Sequence, residues 1–304
     1  GLGCPDWPGC YGEMSPAHAE DIINRAVQAQ GGEHGPVSMH KAWKEMFHRY
    51  LAGTLGLLIL AIALGGWRWR RILPHSPALP SALLALVVLQ AALGMWTVTL
   101  LLKPVIVTLH LLGGMATLSL LVWLSLRQAR VAPAADWRGA QRMRPWAALG
   151  LAVVIAQIAL GGWVSSNYAA LACIDFPTCH GVWRPEMDFR HGFQLVRELG
   201  RTAAGTHLAY EALTAIHWTH RVGALVTFIY VGALAFALSR VRGFGLFAGI
   251  LALALAVQIG LGIGNILEGL PLPVAVAHNA VAAILLVGLV MINFALSRAS
   301  PQYS

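Results

Sequence analysis

The chain has 304 residues, 57% of them hydrophobic and only 11% charged, with a mean hydropathy of +0.65 and a formal net charge of +8. A water-soluble domain carries about 25% charged residues, so the composition excludes a soluble enzyme, a disordered chain and a nucleic-acid module. What is left is an integral membrane protein.

In chain order, the motif Cys-Pro-Asp-Trp-Pro-Gly-Cys (4–10) comes first. Ser15-Pro16 then caps an expected helix over residues 17–30 lying outside the membrane. Seven stretches free of Asp, Glu, Lys and Arg follow, at 50–67, 78–102, 104–126, 145–174, 222–239, 243–267 and 269–297. Each supplies the roughly 20 apolar residues of a spanning helix. Between the fourth and fifth lies a second cysteine motif, Cys-Ile-Asp-Phe-Pro-Thr-Cys (173–179), and a long segment over 180–214 with His180, His191 and His207. That segment reads as solvated connecting structure, with cover for a pocket mouth as the alternative.

Threading the spans alternately gives one side residues 68–77, 127–144, 240–242 and the tail after 297, with eleven Arg against Asp136 alone. The other side holds ten basic and twelve acidic residues. This inside-positive skew puts the Arg-rich loops in the cytoplasm and explains the pI of about 9.8. Trp67, Trp69, Trp96, Trp123, Trp146, Trp163 and Trp218 fall near span ends, as an aromatic belt would. All four cysteines then lie outside, where two close pairs read as disulfides pinning small loops. Metal binding is the weaker reading, because neither pair has zinc-site spacing; a thiol–disulfide redox role stays open.

The chain also repeats itself. Cys4, Asp6, Pro8 and Cys10 recur 169 positions later as Cys173, Asp175, Pro177 and Cys179. Gln90, Gly94 and His110 recur 168 later as Gln258, Gly262 and His278, and His48-Arg49 recurs 172 later as His220-Arg221. The expected fold is therefore all-α and membrane-embedded, with two pseudo-symmetric four-helix bundles in parallel repeat. The expected division is residues 1–130 as the first half, 131–144 as a cytoplasmic linker and 145–304 as the second half. Because span 145–164 precedes Cys173 while three residues precede Cys4, the expectation is an eight-span design of which this chain carries seven, without the first.

His48, His110, His220 and His278 are the histidines the repeat duplicates, and all lie toward the outer ends of spans. Each half thus offers two imidazoles from two helices, the ordinary way to hold a heme iron from both faces in a bundle. A bare ion is a weaker fit, since no carboxylate or cysteine stands beside each pair within the membrane. Gly53, Gly56, Gly113, Gly114, Gly223, Gly260, Gly262 and Gly264 leave room for a macrocycle or serve close helix packing. The halves differ three residues before the repeated His-Arg, where Glu45 stands opposite His217. Glu45 reads as a base beside one heme, or as an interfacial acid pairing with Lys41, Lys44 or Arg49. His217 reads as a heme-propionate contact, a proton relay or an alternative ligand to His220.

The motifs Gly-Leu-Gly-Cys-Pro-Asp-Trp-Pro-Gly-Cys (1–10), Glu-Met-Phe-His-Arg-Tyr (45–50), Thr-Leu-His-Leu (108–111), Gly-Gly-Trp-Val-Ser-Ser-Asn-Tyr-Ala-Ala-Leu-Ala-Cys (161–173), Ile-His-Trp-Thr-His-Arg (216–221) and Ala-His-Asn (277–279) resemble those of the heme A synthase family. Members of that family oxidise a ring methyl of heme O to a formyl group, giving heme A for terminal oxidases. The resemblance implies that His220 and His278 ligate a resident b-type heme, that His48 and His110 hold the substrate heme, and that Glu45 is the catalytic carboxylate. It also implicates the Cys4–Cys10 loop.

An iron with two histidine ligands has no free position for dioxygen. The expected route therefore removes electrons at the porphyrin periphery and adds water to the methyl carbon, with Glu45 taking the proton. Heme O as substrate, an unidentified electron acceptor, heme O synthase and oxidase assembly factors are the expected partners, and a homo-oligomer is compatible with the sequence. The expected location is the inner (cytoplasmic) membrane, with the heme sites toward the periplasm. Two other classes fit the histidines: a diheme electron-transfer cytochrome and a heme-delivery protein. The first does not account for the Glu45 and His217 difference, and the second would bind heme without changing it.

Overall fold

The computed structural model describes residues 3–32, 35, 37–129 and 137–298. The first two residues of the 1–10 motif, residues 131–136 of the expected 131–144 linker, and Arg130 and Asp136 of the inner charge count lie outside them. The described elements are α1 (Glu20–Ala29), α2 (Met39–Arg68), α3 (Ala78–Thr99), α4 (Pro104–Gln128), α5 (Trp137–Ser166), α6 (Phe189–Gly192), α7 (Tyr210–Ser239), α8 (Gly245–Leu267) and α9 (Leu272–Ser297). All but α1 and α6 are long and apolar enough to cross a membrane. No strand is present among the described residues beyond isolated two-residue bridges.

Helix ends differ from the charge-defined stretches for a physical reason. A helix does not stop where a charge begins, so α5 starts at Trp137 and carries Arg138, Arg142 and Arg144 on its first turns. It stops at Ser166, before the apolar run ends, because Tyr168 takes a left-handed conformation (φ 55°) that turns the chain toward the second cysteine loop. The first helix is shorter than the expected 17–30, spanning Glu20–Ala29. Gly31 and Gly32, both at positive φ, end it.

The chain forms two compact units, Gly1–His110 and Leu111–Ser304, the division falling at a residue of α4. In the first, α1 and the cysteine loop pack on the start of α2 around Cys4, Cys10, Ala19, Ile23, Val37, Ala42 and Met46. The Ser38 hydroxyl caps α2 by accepting from the Lys41 N–H at 3.2 Å. Farther along, α2 packs on α3, with Gly56 against Val87 and Gly66 against Pro77 and Pro80.

In the second unit α5 packs on α7 and α9, and α8 packs on the same two, so the four helices meet in a closed ring. Ile158, Val231, Leu234, Leu238, Leu251, Leu255, Leu285, Leu289 and Ile292 fill it. Asn293 ties α9 to α5 by donating to the Ala147 carbonyl at 3.0 Å. In the most apolar stretch of α9, 39% of residues are buried, against 11% in α2.

Candidate functional site

Each cysteine motif closes into a disulfide ring, Cys4–Cys10 and Cys173–Cys179, as the sequence spacing anticipates. Each ring is folded around an aspartate. Asp6 accepts from the Tyr11 and Gly12 N–H groups at 2.6 and 2.8 Å. Asp175 accepts from the His180 and Gly181 N–H groups at 2.7 and 3.0 Å and from the Thr178 hydroxyl at 2.6 Å. These donors, Thr178 foremost, hold the Asp175 carboxyl down at about 2. Burial beside Asp6 and Glu45 raises the Tyr11 phenol.

An arginine one residue after a repeated histidine locks each ring to its helix. Arg49 Nη1 donates to the carbonyls of Asp6 (2.9 Å), Pro8 (3.1 Å) and Gly9. Arg221 donates to the carbonyls of Thr178 at 2.8 Å and Cys173 at 2.9 Å. The residue one turn earlier completes the clamp. Glu45 accepts from the Gly3 and Cys4 N–H groups at 2.7 and 3.1 Å and pairs with Arg49 at 2.5 Å. His217 occupies the same place in the second unit, with Nδ1 3.3 Å from the Cys173 nitrogen and Nε2 3.3 Å from Arg221 Nε. Of the three partners considered for Glu45, the pair drawn is Arg49.

The four repeated histidines come together in twos, His48 within electrostatic reach of His110 and His220 within reach of His278. Three of them lie in notches on a neighbouring helix. A side-chain carbon at Gly94 of α3 would stand 3.3 Å from His110 Cε1, one at Gly161 of α5 3.1 Å from His220 Cε1, and one at Gly262 of α8 3.2 Å from His278 Cε1. One turn before each glycine stands a glutamine. The Gln157 carboxamide lies 3.0 Å from His220 Nδ1 and 3.0 Å from the His220 carbonyl. That of Gln258 lies 3.2 Å from His278 Nε2. The other nitrogen of the His278 ring, Nδ1, is buried without a partner, as is Nδ1 of His110.

A buried imidazole nitrogen without a partner is costly unless something else takes it. Paired imidazoles, two of them, His110 and His278, with a buried ring nitrogen left without a partner, are the donor set a heme iron takes. The residues present fit that group. His180, His191 and His207 are not gathered with them: His180 faces the Ala172 carbonyl at 2.9 Å and stacks on Tyr210, His191 pairs with Asp188 at 2.5 Å, and His207 bridges Arg201.

A cytochrome oxidase assembly protein family model, COX15-CtaA, matches residues 1–290. A heme A synthase of Shewanella oneidensis is 41% identical over 305 residues, covering 100% of this chain and 91% of its own. The chain belongs to the COX15-CtaA family. Heme A synthases of Rhizorhabdus wittichii (30% identical, 84% of this chain and 71% of that one) and Halalkalibacterium halodurans (28%, 98% and 88%) are also similar.

Two features of this COX15-CtaA member escaped the sequence reading. The arginine clamps were visible as the repeated His-Arg pair, but nothing in the sequence joins them to the cysteine loops. The histidine notches had a plainer signal: Gln-x-x-Leu-Gly occurs at 90–94, 157–161 and 258–262. The 168-residue offset links only the first and last copies, so the middle one went unseen.

Proposed function

We propose that this protein converts heme O to heme A as a membrane oxidoreductase acting on a C–H group. The reading is supported by the family, by two pairs of histidines at the outer ends of spanning helices, and above all by a carboxylate, Glu45, beside one pair only. In this reading residues 1–130 and 145–304 form pseudo-symmetric halves. His48 and His110 hold the substrate heme; His220 and His278 are the iron ligands of a resident b-type heme. That heme supplies a one-electron acceptor when bound. The sites face the periplasmic side of the inner membrane.

The substrate change balances with water as the oxygen source. The methyl carbon loses two electrons and two protons as water adds to give a hydroxymethyl group. A second equal step gives a geminal diol, which loses water to the aldehyde. Four electrons leave to an acceptor outside this chain, and Glu45 takes protons from the reacting carbon or its attacking water. Gly3, Cys4 and Arg49 hold its carboxylate in place, so the first disulfide loop orients the base. The acceptor, heme O synthase and oxidase assembly factors are the partners this reading calls for.

The test is to supply membranes containing the full chain with heme O, extract the hemes and look for heme A, with the formyl oxygen traced from labelled water. No heme A, or a label drawn from dioxygen, sinks the corresponding part. Glu45→Gln separates base from anchor: it keeps acceptors for the Gly3 and Cys4 N–H groups but cannot take a proton. Normal conversion by that variant would leave Glu45 as a loop anchor alone.

A further inference from the structure

The three Gln-x-x-Leu-Gly segments lie on three different helices, α3, α5 and α8, and each meets a different repeated histidine. Residues four apart share a helix face. The glycine therefore opens a notch for the imidazole edge, while one turn away the side chains of Gln157 and Gln258 reach the ring or its backbone and Gln90 meets His110 through its own backbone. Chance packing would not put the same two residue types against His110, His220 and His278.

The loose ends of these contacts match one another. Buried atoms without a hydrogen-bond partner include Gln157 Oε1 and Gln258 Oε1, together with Gln90 Nε2, His110 Nδ1 and His278 Nδ1. A neutral imidazole that gives one nitrogen to iron keeps its proton on the other, and that N–H needs an acceptor. The carboxamides of Gln157 and Gln258 stand at such ring nitrogens, and each has an unused oxygen: half a turn of the amide would present that of Gln258, while Gln157 would give up its bond to the His220 carbonyl for one from the ring N–H. The ring N–H created by ligation is the donor these oxygens lack.

We propose that Gln157 and Gln258 are positioning residues for the iron-ligating histidines of the second unit, their carboxamide oxygens accepting the imidazole N–H of His220 and His278. Gly161 and Gly262 provide the notches that set ring orientation, and Gln90 with Gly94 repeats the device for His110 at the substrate. This rests on the reading that His220 and His278 ligate a resident b-type heme. An acceptor on the distal N–H makes an imidazole more electron-donating and favours the ferric state. Outer-shell partners of this kind are worth roughly 10–100-fold in affinity for the bound metal group.

The experiment uses the purified full chain with protoheme, without turnover. Gln157→Leu and Gln258→Leu should each bind protoheme roughly 10–100-fold more weakly. Each should also shift the midpoint potential upward and broaden the low-spin EPR signal as ring orientation relaxes. Gln258→Glu, of nearly the same volume and keeping an acceptor oxygen in place, should move the midpoint downward and keep a narrow signal. Wild-type midpoint, line shape and affinity in both Leu variants would overturn the inference, as would shifts of one sign in Gln258→Leu and Gln258→Glu. His220→Ala and His278→Ala keep the two readings apart. If they retain heme with an unchanged spectrum, the ligand assignment itself fails; if they lose it while the glutamine variants are indifferent, only the positioning role fails.

Discussion

The two disulfide loops are held by the same device with one part exchanged. In the first unit an ion pair does the holding: Glu45 and Arg49, 20% and 12% exposed, bond each other and share the loop's N–H and carbonyl groups between them. In the second an imidazole, His217, stands where the carboxylate would be, and Arg221 reaches the loop with no Glu in the clamp. Both arrangements satisfy the loop, so the clamp alone does not require a carboxylate. That leaves the carboxylate of the first unit free for the second use proposed for it, as the base of the reaction.

Removing each side chain should therefore have unequal effects. Glu45→Ala should lower heme A formation by about 10²–10⁴-fold, the usual worth of a positioned base, whereas His217→Ala should lower it by less than about 10-fold. Comparable losses from both, measured as heme A extracted per unit of protein, would mean the two clamps are only structural. The arginines sharpen the point from the other side. A hydrogen bond to a charged group is worth about 1.5–3 kcal/mol, so Arg49→Ala and Arg221→Ala should each speed reduction of their own disulfide by a water-soluble thiol by roughly 10-fold or more. The other ring should be unaffected. Equal acceleration of both rings in either variant would contradict two independent clamps.

How much of this was readable without coordinates follows from which signals are local. Span number, the disulfide pairings and the pairing of His48 with His110 and His220 with His278 rest on charge gaps, close spacing and an internal repeat, all carried in the order of residues. The ends of α5 were not readable, because Arg138, Arg142 and Arg144 continue a helix that charge counting stops. Nor was the reach of Arg49 to the carbonyls of Asp6 and Pro8, forty or so positions away in sequence. Backbone carbonyl acceptors leave no mark on residue type. The notch for His220 falls between: Gln157-x-x-Leu-Gly161 was legible as a pattern but has no partner at the offset that revealed the other two.

The packing difference between the units gives a smaller, separate test. A side-chain carbon on Gly150 in α5 would lie 2.7 Å from Leu234 Cδ2, whereas one on Gly53 in α2 meets nothing within 4 Å. Gly150→Ala should thus cost about 1–3 kcal/mol as the core is overpacked. Gly53→Ala should change stability by less than about 1 kcal/mol, helped by helix propensity. Thermal unfolding of the two variants in the same detergent checks the ranking, and a Gly53→Ala loss as large as that of Gly150→Ala would mean that α2 is packed at this face.

The smallest expected effect concerns acid. Asp175 carries a carboxyl lowered to about 2 by the Thr178 hydroxyl and the Gly181 and His180 N–H groups. A carboxyl lowered in the folded state stabilises it above the ordinary unfolded value near 4 and loses that contribution as pH falls through the folded value. The second loop should therefore keep its turn between about pH 4 and pH 2, where free aspartate is already protonated. The His180 and Gly181 amide resonances report this directly: their chemical shifts should titrate with a midpoint near 2 in the native chain. In Thr178→Val, which deletes the first-ranked donor, the midpoint should move up toward the ordinary range. A midpoint already near 4 in the native chain would show that the three donors do not hold the carboxylate, and the second ring would then depend on its disulfide and on the His217 and Arg221 clamp.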